Sequence, residues 1–187
     1  MCMTRTERAT LAGLAGFVIT LAGCASSAPK PTYSQPIAVE RRIAAPDQAA
    51  VKVDAASGVS ILDSEKTRLA EKIGLKINDR KGVNKRDGEA QSYSVELVLT
   101  RYQKGNAFAR AMLAGLGQIH IDGDVTMYAL PDHTKVGEFH LKKTFAWGGI
   151  YGGATSMEDI ETTFADGVAA AVTGQEETAD KKADKKK

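Results

Sequence analysis

His120, Asp122 and Asp124 occupy alternate positions of one short stretch, and His140 falls in the next stretch of the same character. Imidazoles and carboxylates in that grouping are the donors of a divalent-cation site or of an acid–base pair. Alternate residues of a strand stand about 7 Å apart, too far for three to share one ion without a bulge. The same residues therefore also read as the solvated face of a strand. A second candidate, Gly148-Gly149-Ile150-Tyr151-Gly152-Gly153, precedes a helical pattern, the order in which glycine-rich turns cradle phosphate. It lacks the Gly-Lys-Ser/Thr ending of a nucleotide loop, and Glu158 and Asp159 would repel an anion from the first helical turn. A tight strand-to-helix reversal or a mobile loop uses glycines equally well. No Gly-x-Ser-x-Gly elbow, His-Glu-x-x-His pair or dinucleotide fingerprint occurs. The expectation is a protein that is not an enzyme and uses neither cofactor nor metal.

Cys24 carries a different chemistry, covalent acylation. Arg5 and Arg8 form a positive start, an apolar stretch of about a dozen residues follows, and small residues precede Cys24. That stretch falls short of the roughly 20 apolar residues that span a bilayer. Leu21-Ala22-Gly23-Cys24 resembles the lipobox of bacterial lipoproteins. The resemblance implies that residues 1–23 are a signal peptide and that Cys24 becomes a diacylated first residue. The competing readings are an ordinary secretory signal with a chance cysteine and an uncleaved anchor. With Cys2 removed and Cys24 acylated, disulfides, zinc-thiolate sites and thiol catalysis fall away together. Ala25 resembles the sorting signal of lipoproteins sent to the outer membrane, since an aspartate there commonly retains them at the inner membrane, and the resemblance implies an outer-membrane anchor facing the periplasm.

The remaining chain suits one domain. Residues 24–36, rich in Ser, Pro and Ala, read as a lipidated flexible tether, and 175–187 as a disordered charged tail. A net charge of +2, with basic residues interspersed among acidic ones, gives nucleic-acid binding no electrostatic support.

Within 37–174 the pattern predicts a single α+β domain. Ser60-x-x-Asp63 has the form of a capping box ahead of Leu62, Leu69 and Ile73 at helical spacing, with Gly74 able to end the helix. Residues 75–77 either continue that helix or begin a short strand. Tyr93, Val95, Leu97 and Leu99 alternate as a strand, as do Ile119, Ile121, Val125 and Met127. Gly123 sits on the inner face and marks a bulge or a close backbone contact. After the turn at Pro131-Asp132-His133-Thr134, Phe139, Leu141, Phe145 and Trp147 form another apolar face, interrupted by Lys143. A hairpin results, with Asp124 opposite Lys142 in one register and Asp122 opposite Lys142 after a slip of two. Ser156 and Asp159 start a last helix striped by Ile160, Phe164, Val168 and Val172 and closed by Gly174. An early strand near 37–43 or 51–53 completes an antiparallel sheet covered on one face by about two helices.

The stretch from Gly105 to Gly117 is an Ala- and Gly-rich insert that fits a short amphipathic helix or a flexible loop, with Phe108, Met112 and Leu116 at helical spacing and Arg110 off the stripe. Gly105, Asn106, Arg110, Gly115 and Gly117, followed by Gly148, Gly149, Gly152 and Gly153, resemble the pattern of an uncharacterised family of bacterial envelope lipoprotein domains. The resemblance covers about 93–173 and implies envelope location and an α+β domain, without catalytic residues. Phe108, Arg110, Met112 and Leu113 are the candidate contacts to a membrane or partner, and the alternative is that the insert packs over its own sheet. Arg110 most simply caps carbonyls or pairs with an acid. Beyond the membrane reached through the lipid, the expected partners are envelope proteins or cell-wall polymer.

Overall fold

A computed structural model describes residues 27–86, 89–113 and 116–175. The expected signal peptide, the expected lipidation at Cys24 and the expected charged tail beyond Gln175 fall outside the described residues.

The elements run β1 (Thr32–Gln35), β2 (Gln48–Ala55), α1 (Asp63–Lys81), β3 (Ser92–Gln103), α2 (Ala107–Met112), β4 (Ile119–Leu130), β5 (Thr134–Phe145), α3 (Gly149–Ala154) and α4 (Met157–Thr173). Five strands form one sheet in the order β1-β5-β4-β3-β2. The expected α+β class holds, with one departure from an antiparallel sheet. β2 and β3 pair in parallel, because α1 carries the chain back across the sheet between them.

The apolar alternation of β3, β4 and β5 packs beneath α1 and α4. Val95, Leu97, Ile121, Val125 and Phe139 meet Leu69, Ile73 and Ile77 of α1 and Ile160, Phe164, Val168 and Val172 of α4 in one core. The opposite face is polar. α4 begins as its sequence predicts: Ser156 Oγ accepts from Asp159 N at 3.2 Å, and the Asp159 carboxylate accepts from Ser156 N at 2.8 Å. Gly174 closes it at φ 67°. α1 differs from its expectation at both ends. Its cap is Leu62, whose N–H donates to Glu65 at 3.1 Å, rather than Ser60. The helix also runs through Gly74, because the buried stripe continues to Ile77, and burying such a residue outweighs the roughly 1 kcal/mol cost of a mid-helix glycine.

In the β4–β5 hairpin, Asp122 pairs with Lys142, Asp124 with His140 and Val125 with Phe139. The register is the slipped one, and the pairing of Asp124 with Lys142 is not formed. An extra residue in β5 shifts it again beyond Met127, so that Tyr128 opposes Lys135. β3 carries a comparable irregularity between Leu99 and Arg101, opposite Gly123. A Cβ at Gly123 would stand 2.6 Å from Leu97 Cδ1 and 3.1 Å from Val98 O, so a side chain there would have to displace Leu97. The bulge turns Arg101 outward and Tyr102 inward beneath the helices, which plain alternation would not do.

β1 lies within the stretch expected to be a tether. It pairs with β5, and Pro29 packs on α4 where a Cβ at Gly167 would approach to 2.7 Å. Residues 37–43, one of the two places expected for an early strand, instead contain a 3-10 turn, Val39–Arg41. The other, 51–53, lies in β2.

Glu161, fully buried in α4, joins three elements. Arg68 grips it through Nε and Nη2 at 2.9 and 2.8 Å, Lys72 reaches it at 3.0 Å, and the Tyr102 hydroxyl donates at 2.6 Å. Burial works against its charge, yet the donors from Arg68, Tyr102 and Lys72 hold the carboxyl below the usual carboxylate range. Glu65, despite its burial, is held down by Lys104 and the Leu62 N–H, and Asp159 by the backbone and side chain of Ser156. All three native carboxyls bind fewer protons than their unfolded counterparts in acid. Their stabilisation is complete above the unfolded range, near pH 4.3 for Glu, and is lost as pH falls through the lower folded values. Urea midpoints are expected to be level through neutral pH and to drop below about pH 4.5. Glu161→Gln should cost about 2 kcal/mol at pH 7, since Arg68 and Lys72 still reach solvent, and should flatten that acid decline.

Candidate functional site

The four polar residues of the hairpin do not converge on one point. His140 Nδ1 lies 2.8 Å from Asp124 Oδ1, whereas His120 Nδ1 lies 3.0 Å from Thr144 Oγ1. Burial, and after it Arg101, pushes His120 below the usual imidazole range. Asp122 is 8 % exposed, in register with Arg101 and Lys142, and its Oδ1 accepts no hydrogen bond. Among the described residues no three His, Cys, Asp or Glu side chains are placed to hold an ion. The face is made of cross-strand pairs.

The glycine-rich segments meet at the end of the sheet where β3 and β5 finish and β4 begins. Asn106 opens α2, its side chain accepting from Ala109 N at 2.9 Å while its own N–H donates to Gly117 O at 3.1 Å. Gly105 and Gly117 flank this turn at φ 65° and 66°, in the left-handed region that only glycine enters at no steric cost. A Cβ at Gly105 would lie 2.2 Å from Gly117 O. α3 occupies the segment read as a reversal or loop. A Cβ at Gly152 would lie 2.1 Å from Trp147 O, and one at Gly153 would lie 3.0 Å from Ala111 Cβ of α2. The two short helices therefore close on each other through glycine.

Arg110 locks this closure. Expected among the surface contacts, it is 3 % exposed and points inward. Its Nε donates to Gly152 O at 2.9 Å, Nη1 to Gly117 O at 2.8 Å and Lys104 O at 3.3 Å, and Nη2 to Thr155 O at 2.9 Å. It fills the carbonyl-capping role that its place off the apolar stripe suggests. Helix α2 turns this residue in and the stripe out.

Phe108 (72 %), Met112 (67 %), Leu113 and Leu116 are accordingly exposed. α3 adds Ile150, 93 % exposed, and Tyr151, and Trp147 precedes it. Trp147, expected on the apolar strand face, falls past the end of β5 and meets Tyr151 edge-on at 6.3 Å. Leu116, Trp147, Ile150 and Tyr151 were not among the predicted contacts; the signal for the last two was a large apolar pair set between two Gly-Gly steps. Under α3 lies a cleft of about 370 Å³ lined by Phe145, Tyr151, Ala154, Thr155, Asp159, Ile160 and Thr163. Its one carboxylate, Asp159, is engaged by Ser156. The outward-facing apolar residues of α2 and α3 form the candidate interaction surface.

Residues 42–149 match a family described as a domain of unknown function, DUF4410. No curated protein matches the chain. Among solved structures, a PelC dodecamer from Paraburkholderia phytofirmans is 8% identical, the match covering 78% of this chain and 98% of that one at a TM-score of 0.49. A Xanthomonas campestris protein of family DUF330 is 16% identical over 78% of this chain and 95% of its own, at 0.46. A candidate lipoprotein from Caulobacter crescentus is 16% identical over 74% and 93%, at 0.35.

Arg110→Lys keeps the charge but loses the planar fork that reaches four carbonyls. A loss of about 2–3 kcal/mol is expected. Hydrogen exchange followed by mass spectrometry should show faster exchange in α2, α3 and the turns beside them, with the centres of β3, β4 and β5 unchanged.

Proposed function

Because this chain belongs to the DUF4410 family, whose function is unknown, we propose that it is a non-enzymatic, lipid-anchored lipoprotein of the outer membrane. Its periplasmic domain serves as an interaction or assembly module, with the α2–α3 cap as its contact surface. The observation that carries this reading is the cap itself. Large apolar side chains stand in solvent on a backbone fixed by a buried arginine, and such a patch on a stable frame is the mark of an interaction site. The anchor rests on Leu21-Ala22-Gly23-Cys24, and its outer-membrane address on Ala25. Among the described residues no helix is long and apolar enough to cross a membrane.

The cleft beneath α3 favours a second reading, binding of a small ligand or an envelope polymer beside the glycine-rich segments. A hydrolase of cell-wall material draws less support, since the single cleft carboxylate already serves as a helix cap.

A photo-crosslinking residue placed at Phe108 in intact cells is expected to yield adducts, whereas the same probe at Thr126 on the polar sheet face yields few. Equal yields at the two positions would rule out the cap as the contact surface. Cys24→Ser is expected to abolish labelling by a palmitate analogue and to release the protein from the membrane fraction. Retention of both would refute the anchor.

A further inference from the structure

The start of the folded chain lies along β5, the strand that leads into the cap. β1 runs antiparallel to β5, with Thr32 opposite His140, so the residues before Thr32 advance toward the end of β5. Ser27, the first described residue, accepts a hydrogen bond from Lys143 Nζ at 2.6 Å. Lys143 stands two residues before Phe145, where β5 ends, and the Phe145 ring meets Tyr151 of α3 at 6.0 Å. Cys24 precedes Ser27 by three residues, a span of at most about 11 Å even when fully extended. An acyl group on Cys24 would therefore lie within reach of the end of β5 that leads into the cap.

We propose that the occupant of the cap is the lipid bilayer that holds the anchor: Trp147, Tyr151, Ile150, Phe108 and Met112 lie in its interface and fix the domain's orientation on the membrane. This deepens the proposed function and rests on its lipid anchor. The chemistry matches the site. Tryptophan and tyrosine settle at headgroup depth, where an apolar ring and a polar tip are both satisfied. Ile150 and Phe108, among the most exposed large apolar side chains, can reach the acyl boundary. Behind the cap, Glu65 pairs with Lys104 and Glu158 with Arg68, so these two acids bring no unpaired charge to the membrane. Exposed Lys30 and Lys142, beside Ser27, are placed to meet anionic headgroups.

The chain has 1 Trp, Trp147, so tryptophan fluorescence reports on the cap alone. The mature, acylated full-length protein is reconstituted into phosphatidylethanolamine–phosphatidylglycerol vesicles, with or without phosphatidylcholine brominated near the headgroup end of its chains. Quenching of roughly twofold or more by the brominated lipid, with protection from iodide, is expected if the ring lies in the interface. Phe108→Asp with Ile150→Asp should abolish both effects while the protein still floats with the vesicles and keeps its circular dichroism. Protein that is acylated and floats, but whose Trp147 the brominated lipid does not quench, overturns the proposal and leaves the anchor standing. That holds even if the ring is shielded from iodide, the signature of a protein partner or second copy. Protein without acyl mass at Cys24 overturns the anchor reading and this proposal together.

Discussion

One guanidinium gathers four main-chain carbonyls from two segments far apart in sequence, and the whole end of the domain is organised around it. Lys104 and Gly117 bring the turns on either side of α2 to Arg110, and Gly152 and Thr155 bring α3 and the approach to α4. A charged donor buried among carbonyls is stable because each lone pair it meets would otherwise lose its water unrewarded. The arrangement requires main chain to approach main chain more closely than side chains permit. Gly105, Gly117 and Gly152 are the points where a methyl group would collide with an opposing carbonyl. With the arginine consuming the inward direction of α2, its apolar residues have only the outward one.

The body of the domain shows a similar economy. Its sheet is apolar on one side only, and both long helices lie there. Glu161 is the fully buried polar tie in that layer, joining α4 to α1 through Arg68 and Lys72 and to β3 through Tyr102, while Arg80 and Asp166 join the same helices nearer solvent. Tyr102 is available because the β3 bulge reverses the side to which the end of the strand points. The carboxylate, the bulge and Gly123 are thus parts of one solution to docking a helix over a strand end.

Features encoded by local rules could be read from the sequence. Alternation gave β3, β4 and β5 their faces, and Ser156, Asp159 and Gly174 bounded α4. Features decided by distant contacts could not. β1 hides in a Ser- and Pro-rich stretch because an edge strand of four residues needs little more than the backbone of β5 to hold it. Gly74 signals a helix end, yet lies within α1 because the core on either side of it outweighs the penalty. Alternation leaves the hairpin register undetermined by steps of two, and Asp122 opposite Lys142 was fixed by the fold. At the candidate site, the apolar stripe of α2 and the role of Arg110 toward carbonyls were legible. The contribution of α3 was not, because glycine-rich residues give no periodicity until α2 packs against them.

The first strand is continuous with the chain from Ser27 onward, so the entry into the domain is a structural member of the sheet. Tension transmitted from that end runs along the strand axis and loads the β1–β5 hydrogen bonds in shear, where they resist together instead of peeling singly. Pro29 wedged against Gly167 and Lys143 clasping Ser27 share the load before it reaches that ladder. From Ser27 onward the chain is thereby bracketed to the sheet and to α4, with stiffness where a flexible cord would swing.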